Sequence, residues 1–416
     1  MAESWTLNKL GDLCEAIFSG GTPRTSDSTF WNGNLNWLSS GETRNLYIRE
    51  TDRKITQLGA FNSSTKMAIC GDVVIASAGQ GSTRGQVSFC LVETYINQSI
   101  IAIRSRRESL YPKFLLYCLL DRYEELRSIS DADSSRGSLT CRLLENLPIY
   151  YPSLPSQRKI AAILSAYDDL IEKNTRRIKI LDEIAQNLYR EWFVKFRFPG
   201  HEHARFVDSP LGRIPEGWYI REMQEVADVI DCLHSKKPQH NESGKGLLLQ
   251  LSNIGDGGII DLSKKYLLDE EDYKKWTSRV EVQFGDCVIT NVGRVGAVAQ
   301  IPKGLKAAIG RNMTAIRPHT NIMGPTYLIQ YLLSPLMERE IQIKMDAGSI
   351  MDSLNVKGII KLSVPIATPY IMKQFESIAR PLREHIELLI KKNTTLRTTR
   401  DLLSLSSSPA RWMFQI

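Results

Sequence analysis

Between Leu154 and Phe196 the apolar side chains recur with a period of seven. Ile160, Tyr167, Asn174, Leu181 and Leu188 form one series, and Leu164, Ile171, Ile178, Ala185 and Trp192 form a second, four residues on. Held over five repeats and flanked by Arg, Lys, Glu and Asp, this pattern predicts a long helix with a coiled-coil seam. A second series, Phe375, Leu382, Leu389, Leu396 and Leu403, predicts another, which Pro381 should start or kink. At 1.5 Å per residue, helices of about 35 residues are about 50 Å long. Neither stripe can remain in water. Packing of the two on each other as an antiparallel pair satisfies both, with Ile160, Leu164, Tyr167, Ile171, Asn174, Ile178, Leu181 and Leu188 set against Leu382, Leu389, Asn393 and Leu396. The competing arrangement packs each helix on its own domain. Asn174 and Asn393 occupy matching places, where a polar seam residue fixes register.

Outside these helices the period changes to that of short strands. DVVIAS (72–77), QVSFCLV (86–92) and IIAIRS (100–105) are rich in β-branched residues and bounded by Gly, Asn or Ser; CVITNV (287–292), AVAQIP (297–302) and MTAIRP (313–318) take the same places later. Helical segments beginning at Pro112 and Pro325 follow in turn, each proline standing where its missing N–H costs nothing. The whole framework is written twice. Trp5 and Trp218 stand 213 residues apart, GDVVIASAG and GDCVITNVG 214, LPI (from Leu147) and VPI (from Val364) 217, and LIEKNT (from Leu170) and LIKKNT (from Leu389) 219. Such a period is far beyond a solenoid repeat and denotes two copies of a domain, each followed by its own helix. The expected fold is α+β: two similar α/β domains separated by two long helices forming an antiparallel coiled coil, a pseudo-two-fold internal repeat. The expected boundaries are 1–153 for the first domain, 154–196 for the first long helix, 197–217 for a linker, 218–370 for the second domain, 371–405 for the second long helix and 406–416 for a tail.

Composition narrows the class without naming a chemistry. An apolar content of 42% and a charged content of 24% are globular values. The seven cysteines are scattered and form no C-x-x-C pair, which favours a reducing compartment. With no signal-like N-terminus and no long apolar run, a cytoplasmic protein away from membranes is expected. A net charge of +7 allows a nucleic-acid partner but does not require one. Catalytic signatures are missing: there is no phosphate-binding G-x-x-x-x-G-K-[ST] loop, no G-x-G-x-x-G, no N-P-P-[YF], no H-E-x-x-H and no G-x-S-x-G. His201 and His203 form an H-x-H pair without a nearby third ligand, and the acidic run Asp269 to Asp272 suits a helix N-terminal turn. No catalytic residue and no metal ligand is assigned.

What remains is polar, glycine-containing loops at matching places of both copies. SGGTPRTSD (19–27) and SAGQGSTRGQ (77–86) are answered by CLHSKKPQHNESGKG (232–246) and NVGRVGAVAQ (291–300), and DADSSRGSLT (131–140) by MDAGSIMDSLN (345–355). Backbone amides, hydroxyls and Arg, Asn or Gln side chains are what phosphate positioning and base-edge readout need. The candidate DNA-binding residues are Thr22, Arg24, Ser77, Gln80, Ser82, Thr83, Arg84, Gln98, Ser135 and Arg136 in the first copy, and Lys236, Lys237, Asn291, Arg294, Arg311, Asn312 and Ser349 in the second. Such loops can also simply turn the chain. A rigid rod carrying two modules that bind no DNA would show the same periodicity.

LPSQRKIAAILSAYDDLIEKNTRRIKILDEIAQNLYREWFVKFRFPG (154–200), LGRIPEGW (211–218), the GDVVIAS and GDCVITN pair, and SGGTP (19–23) together resemble the specificity subunit of type I restriction-modification enzymes. The resemblance spans essentially the whole chain and is weaker at the second long helix, where Pro381 and Arg400 interrupt the seam. It implies two target recognition domains, each reading one half of a bipartite site on double-stranded DNA, with spacing set by the helices. It further implies recruitment of two methyltransferase (modification) subunits and then of restriction subunits. S-adenosylmethionine, ATP and Mg would be used by those partners, and this chain would be non-catalytic and bind no cofactor of its own.

Overall fold

A computed structural model of the chain describes residues 4–79, 82–133, 137–209, 212–344 and 353–404. Two units emerge from its contacts: unit 1 is Met1–Glu172 with Thr394–Ile416, and unit 2 is Lys173–Asn393.

In unit 1 the strands are β1 (Thr6–Lys9), β2 (Cys14–Ser19), β3 (Trp31–Leu38), β4 (Tyr47–Ile48), β5 (Arg53–Ile55), β6 (Lys66–Ala68), β7 (Val73–Ala76), β8 (Val87–Cys90), β9 (Thr94–Ile96), β10 (Ile100–Ser105) and β11 (Pro148–Tyr151). Its helices are α1 (Gln57–Phe61), α2 (Pro112–Leu120), α3 (Tyr123–Asp133), α4 (Cys141–Glu145) and α5 (Leu154–Tyr189), the last as far as Glu172. One sheet has the order β2-β10-β7-β8-β4 and another β5-β3-β9-β6, while β1 pairs antiparallel with β11 and closes the domain on its own start. The central strands are buried on both faces, which explains their unbroken apolar sequence. Along β7 and β10, Val73, Ile75, Ile101 and Ile103 turn toward α2 and α5, whereas Val74, Ile100 and Ala102 pack with Leu38 and Ile96 from the second sheet.

Unit 2 repeats this plan. After a hairpin of β12 (Phe206–Ser209) and β13 (Gly212–Pro215) come β14 (Tyr219–Glu222), β15 (Ala227–Asp231), β16 (Gly246–Leu249), β17 (Leu267–Leu268), β18 (Cys287–Thr290), β19 (Val298–Gln300), β20 (Ala308–Ile309), β21 (Met313–Pro318) and β22 (Ser363–Ile366). The helices are α6 (Met223–Val226), α7 (Glu270–Trp276), α8 (Pro325–Leu332), α9 (Pro335–Lys344), α10 (Val356–Ile359) and α11 (Pro369–Leu403), the last as far as Asn393. Sheets β15-β21-β18-β19 and β17-β16-β20 follow those of unit 1 with one strand fewer in each, and β14 pairs with β22 as β1 does with β11.

One ion pair is duplicated with the framework. Asp72 accepts from Arg104 at 2.8 and 3.0 Å and from the Ile69 N–H at 2.9 Å; Asp286 accepts from Arg317 at 2.6 and 2.8 Å and from the Gln283 N–H at 3.0 Å. Both carboxylates are buried.

The structure differs from the sequence reading in several places. The strands of the second sheet of each unit lie in segments to which the sequence reading assigned no strand. Each helical segment after the strands is broken in two, α2 from α3 and α8 from α9; the second break falls at Pro335, which lacks the N–H that would bond the preceding turn and takes the first position of α9. The presumed linker holds the β12–β13 hairpin. Helix α11 runs unbroken through Pro381, whose ring lies on an exposed position.

The long helices meet within each unit. In unit 1, Asp168 of α5 accepts from Arg400 of α11 at 2.5 Å and from Tyr117 at 2.7 Å, and Leu403 packs against the core containing Ile160 and Leu164. In unit 2, Asn174 donates to Asn393 at 2.9 Å, and further along Tyr189 and Trp192 pack on Phe375. Their order, Asn174 with Asn393 and Tyr189 with Phe375, makes the pairing antiparallel. Ile160, Leu164 and Asn174 are buried, Tyr167, Ile171, Ile178, Leu181 and Leu188 half-buried, Leu389 and Asn393 buried, and Leu382 and Leu396 half-buried. Arg383 lies inside the unit 2 seam, donating to the carbonyls of Gly257 (3.0 Å) and Gly258, and burial pulls its pKa down. Among the described residues no helix is long and apolar enough to cross a membrane.

Candidate nucleic-acid interface

In unit 1 the loop after β2 is held by its backbone. A Cβ on Gly20 would run into the Ile96 carbonyl, and one on Gly21 into Ser64, so only glycine allows this approach. Gly21 N–H donates to Ile96 O at 3.0 Å, Trp37 Nε1 donates to Gly21 O at 3.3 Å, and Trp31 Nε1 donates to Arg24 O at 3.2 Å. Two buried indoles thus fix the main chain and leave the Arg24 side chain exposed. The Arg53 guanidinium covers the Trp31 ring at 3.7 Å. Thr22 donates its hydroxyl proton to Gln98 Oε1, which brings those two candidates together on adjacent loops. Asp27 accepts from the Thr29 hydroxyl at 2.6 Å and its N–H at 3.0 Å, which holds its carboxyl below the usual range.

The neighbouring loop uses its arginine internally. Arg84 is buried and donates to Gly137 O at 2.5 Å and Asp131 Oδ1 at 2.6 Å. Ser77 is buried as well; its N–H donates to Ser99 O at 2.9 Å and its carbonyl accepts from Leu139 N–H at 2.8 Å. Ser82 is exposed and Thr83 half-buried, and the Ser82 carbonyl accepts from Tyr123 at 2.9 Å. Gln80, Ser135 and Arg136 lie outside the described residues.

Unit 2 follows the same logic with other side chains. Asn291 is buried, donating to Thr314 Oγ1 at 3.0 Å and Leu354 O at 2.9 Å. Arg294 donates to Ile254 O and to Asp256 Oδ1, both at 2.9 Å, and so braces its loop against the 3₁₀ turn Asp256–Gly258. Lys237 lies 4.2 Å from the centre of the Tyr266 ring, whose hydroxyl donates to Pro238 O at 2.6 Å. Lys237, Arg311 and Asn312 then line one groove with Gln250, Ser252 and Trp276. Lys236, Arg311 and Asn312 are exposed, and Asn312 has φ 63°, a left-handed conformation that Asn tolerates better than most residues. Ser349 lies outside the described residues.

Among the described residues, Asp231, Cys232 and His234 place possible metal-ligating atoms within 4.8 Å of one another. The Asp231 carboxylate already faces His234 at 2.8 Å and the Arg279 guanidinium at 3.7 Å, and burial raises the Cys232 thiol. The Asp231 carboxylate is thus already engaged by neighbouring side chains.

Composition alone did not single out Trp31, Trp37, Arg53, Gln250 or Trp276. The pair Trp31 and Trp37, spaced within an Asn- and Gly-rich stretch, was the available signal. Nor did composition separate Ser77, Arg84 and Asn291, which serve the fold, from Gln98 and Arg311, which point outward.

Residues 2–182 match the family model described as the type I restriction modification DNA specificity domain. The MjaIX type I restriction enzyme specificity subunit of Methanocaldococcus jannaschii is 26% identical, over 96% of this chain and 92% of that protein. The MjaVIII specificity subunit of the same organism is 24% identical over 89% and 84%. In fold, the chain is similar to the crystal structure of a type I restriction-modification S subunit from M. genitalium, with a TM-score of 0.62, 15% identity, and coverage of 96% and 95%.

Proposed function

From the match of residues 2–182 to the type I DNA specificity domain and the similarity of nearly the whole chain to type I specificity subunits, we propose that it is such a subunit, a non-catalytic DNA-recognition component that reads a bipartite target on double-stranded DNA. Unit 1 reads one half-site and unit 2 the other. The observation that carries this reading is a single framework built twice with different side chains on the same loop positions: Gln98 where unit 2 has Arg311, and Ser99 where it has Asn312. A shared scaffold supplies two similar docking surfaces, and divergent loops give each its own sequence. The exposed Arg24, Lys236 and Lys237 suit phosphate contacts, whereas Ser77, Arg84, Asn291 and Arg294 shape the loops that carry the readers.

The two long helices set the spacer between half-sites. They also carry exposed apolar side chains, Ile163 and Leu170 in unit 1 and Ile180, Ile184, Ile378 and Leu388 in unit 2, which favours helical partners. Two modification subunits dock there and restriction subunits join through the assembled complex. S-adenosylmethionine, ATP and Mg act in those partners. Co-expression with the cognate methyltransferase subunit, followed by mapping of modified adenines by long-read sequencing, tests the reading. The expected result is a split motif, two short specific blocks around a fixed gap. An intact complex that leaves no such motif sinks the proposal and favours a rod that binds no DNA.

A further inference from the structure

Resting on the bipartite reading, we infer that Gln98 and Arg311 are one base-reading position, occupied once in each unit, and that they specify adenine in one half-site and guanine in the other. The equivalence is fixed from both sides by the backbone. Before the position, Asn97 N–H donates to Leu38 O at 3.1 Å and Gly310 N–H to Leu249 O at 2.8 Å. After it, Ser99 O accepts from Ser77 N–H at 2.9 Å and Asn312 O from Asn291 N–H at 2.8 Å. The intervening residue is therefore held at the crest of a short loop between the two sheets, β9 and β10 in unit 1, β20 and β21 in unit 2. A crest pinned on both flanks presents its side chain with little backbone freedom, which is what discrimination between base edges requires.

Side-chain chemistry then separates this position from the other polar candidates. Arg84 and Arg294 spend their guanidinium groups on carbonyls and carboxylates of their own unit. Arg311 is exposed and makes no hydrogen bond or ion pair among the described residues. Its fork of donors matches the O6 and N7 acceptors of guanine in the major groove. Gln98 is exposed too, and the Thr22 hydroxyl donates to its Oε1, orienting the amide. The carbonyl oxygen has a second lone pair, so Oε1 can still accept from adenine N6–H while the amide donates to N7. Thr22 acts here as a positioning residue.

The test uses the assembled complex of full-length chain and methyltransferase subunit. The wild-type complex settles the premise: no split motif removes the bipartite reading and this inference with it. Given a split motif, Gln98→Arg should change one position of one block from A·T to G·C, and Arg311→Gln should change one position of the other from G·C to A·T. The untouched block stays the same, and each switched sequence is preferred about ten-fold or more over the original. Variants that co-purify with the methyltransferase yet keep the original motif overturn the assignment. So does an even loss of methylation across a library randomised in the affected block, since that is the mark of a phosphate contact. As a check independent of variant folding, guanines of the Arg311 block are replaced one at a time by 7-deazaguanine and presented to the wild-type complex. Loss of methylation at one such guanine supports the inference; indifference at all of them refutes it.

Discussion

At the scale of single residues, the duplicated carboxylates Asp72 and Asp286 show how much of each domain rests on one buried group. Each ties a loop N–H to an arginine on the neighbouring strand, so removal orphans donors on two segments. Asp286→Ala should cost unit 2 about 2–4 kcal/mol. Hydrogen exchange read by mass spectrometry should show faster exchange in β18 and β21 and none in β7 and β10; Asp72→Ala should do the reverse. The half-buried carboxyl of Glu376 has the opposite character. Glu376 accepts from the Tyr327 N–H at 2.8 Å, but burial raises its pKa above the ordinary carboxyl range. The proton is bound more tightly in the folded chain, so the associated stability is present below the unfolded value and lost as pH rises through the folded one. Glu376→Gln keeps an acceptor without the charge. It should resist urea better than the wild type near pH 8, with the advantage closing toward about pH 4, the unperturbed range of Glu. Residue roles of this kind were only partly legible in the sequence. An arginine in a glycine loop reads identically whether it faces DNA or a carbonyl of its own fold, and only packing distinguishes Arg311 from Arg84.

Among elements, the long helices were the most readable, because a seven-residue apolar period has few other interpretations. The second sheet of each unit was the least. Its strands are short, β3 has an irregular register between Trp31 and Leu35, and β17 and β20 are two-residue pairings with little periodicity to detect. The duplicated helices are also not identical in their seams. Leu164 is buried in unit 1, whereas the corresponding place in unit 2 is Arg383, held by the turn at Gly257 and Gly258. The Asn174 and Asn393 pair tests the seam directly. Asn174→Leu alone removes the Asn174 donor to the Asn393 amide oxygen and should cost about 1–2 kcal/mol. Adding Asn393→Leu should recover that loss, since two leucines bury apolar surface where two amides did not. Urea denaturation of the single and double variants checks the sign: a double variant no more stable than the single one would mean the amides are not coupled.

For the molecule as a whole, the internal repeat is the feature from which most else follows. It was legible because strand and helix motifs recur at nearly one offset across both halves, a long-range signal that survives local ambiguity. If the helices set the spacer, a seven-residue insertion in both should lengthen it while preserving the seam. Seven residues add about 10 Å of helix, or about three base pairs at 3.4 Å each. Methylation mapping should then show both blocks unchanged and the gap about three base pairs longer; an unaltered gap would refute the ruler. The pairing of β1 with β11, and of β14 with β22, has a consequence of another kind. Entry and exit of each domain lie on hydrogen-bonded neighbours, less than 5 Å apart in such a ladder, so everything between them is a closed excursion from the helical scaffold. If each unit reads one half of the target, a recombination event that exchanges one excursion for another, with crossovers inside those two strands, would alter one half and leave the long helices as they were. New specificities can thus arise by trading cassettes, without the slow accumulation of point changes in either half.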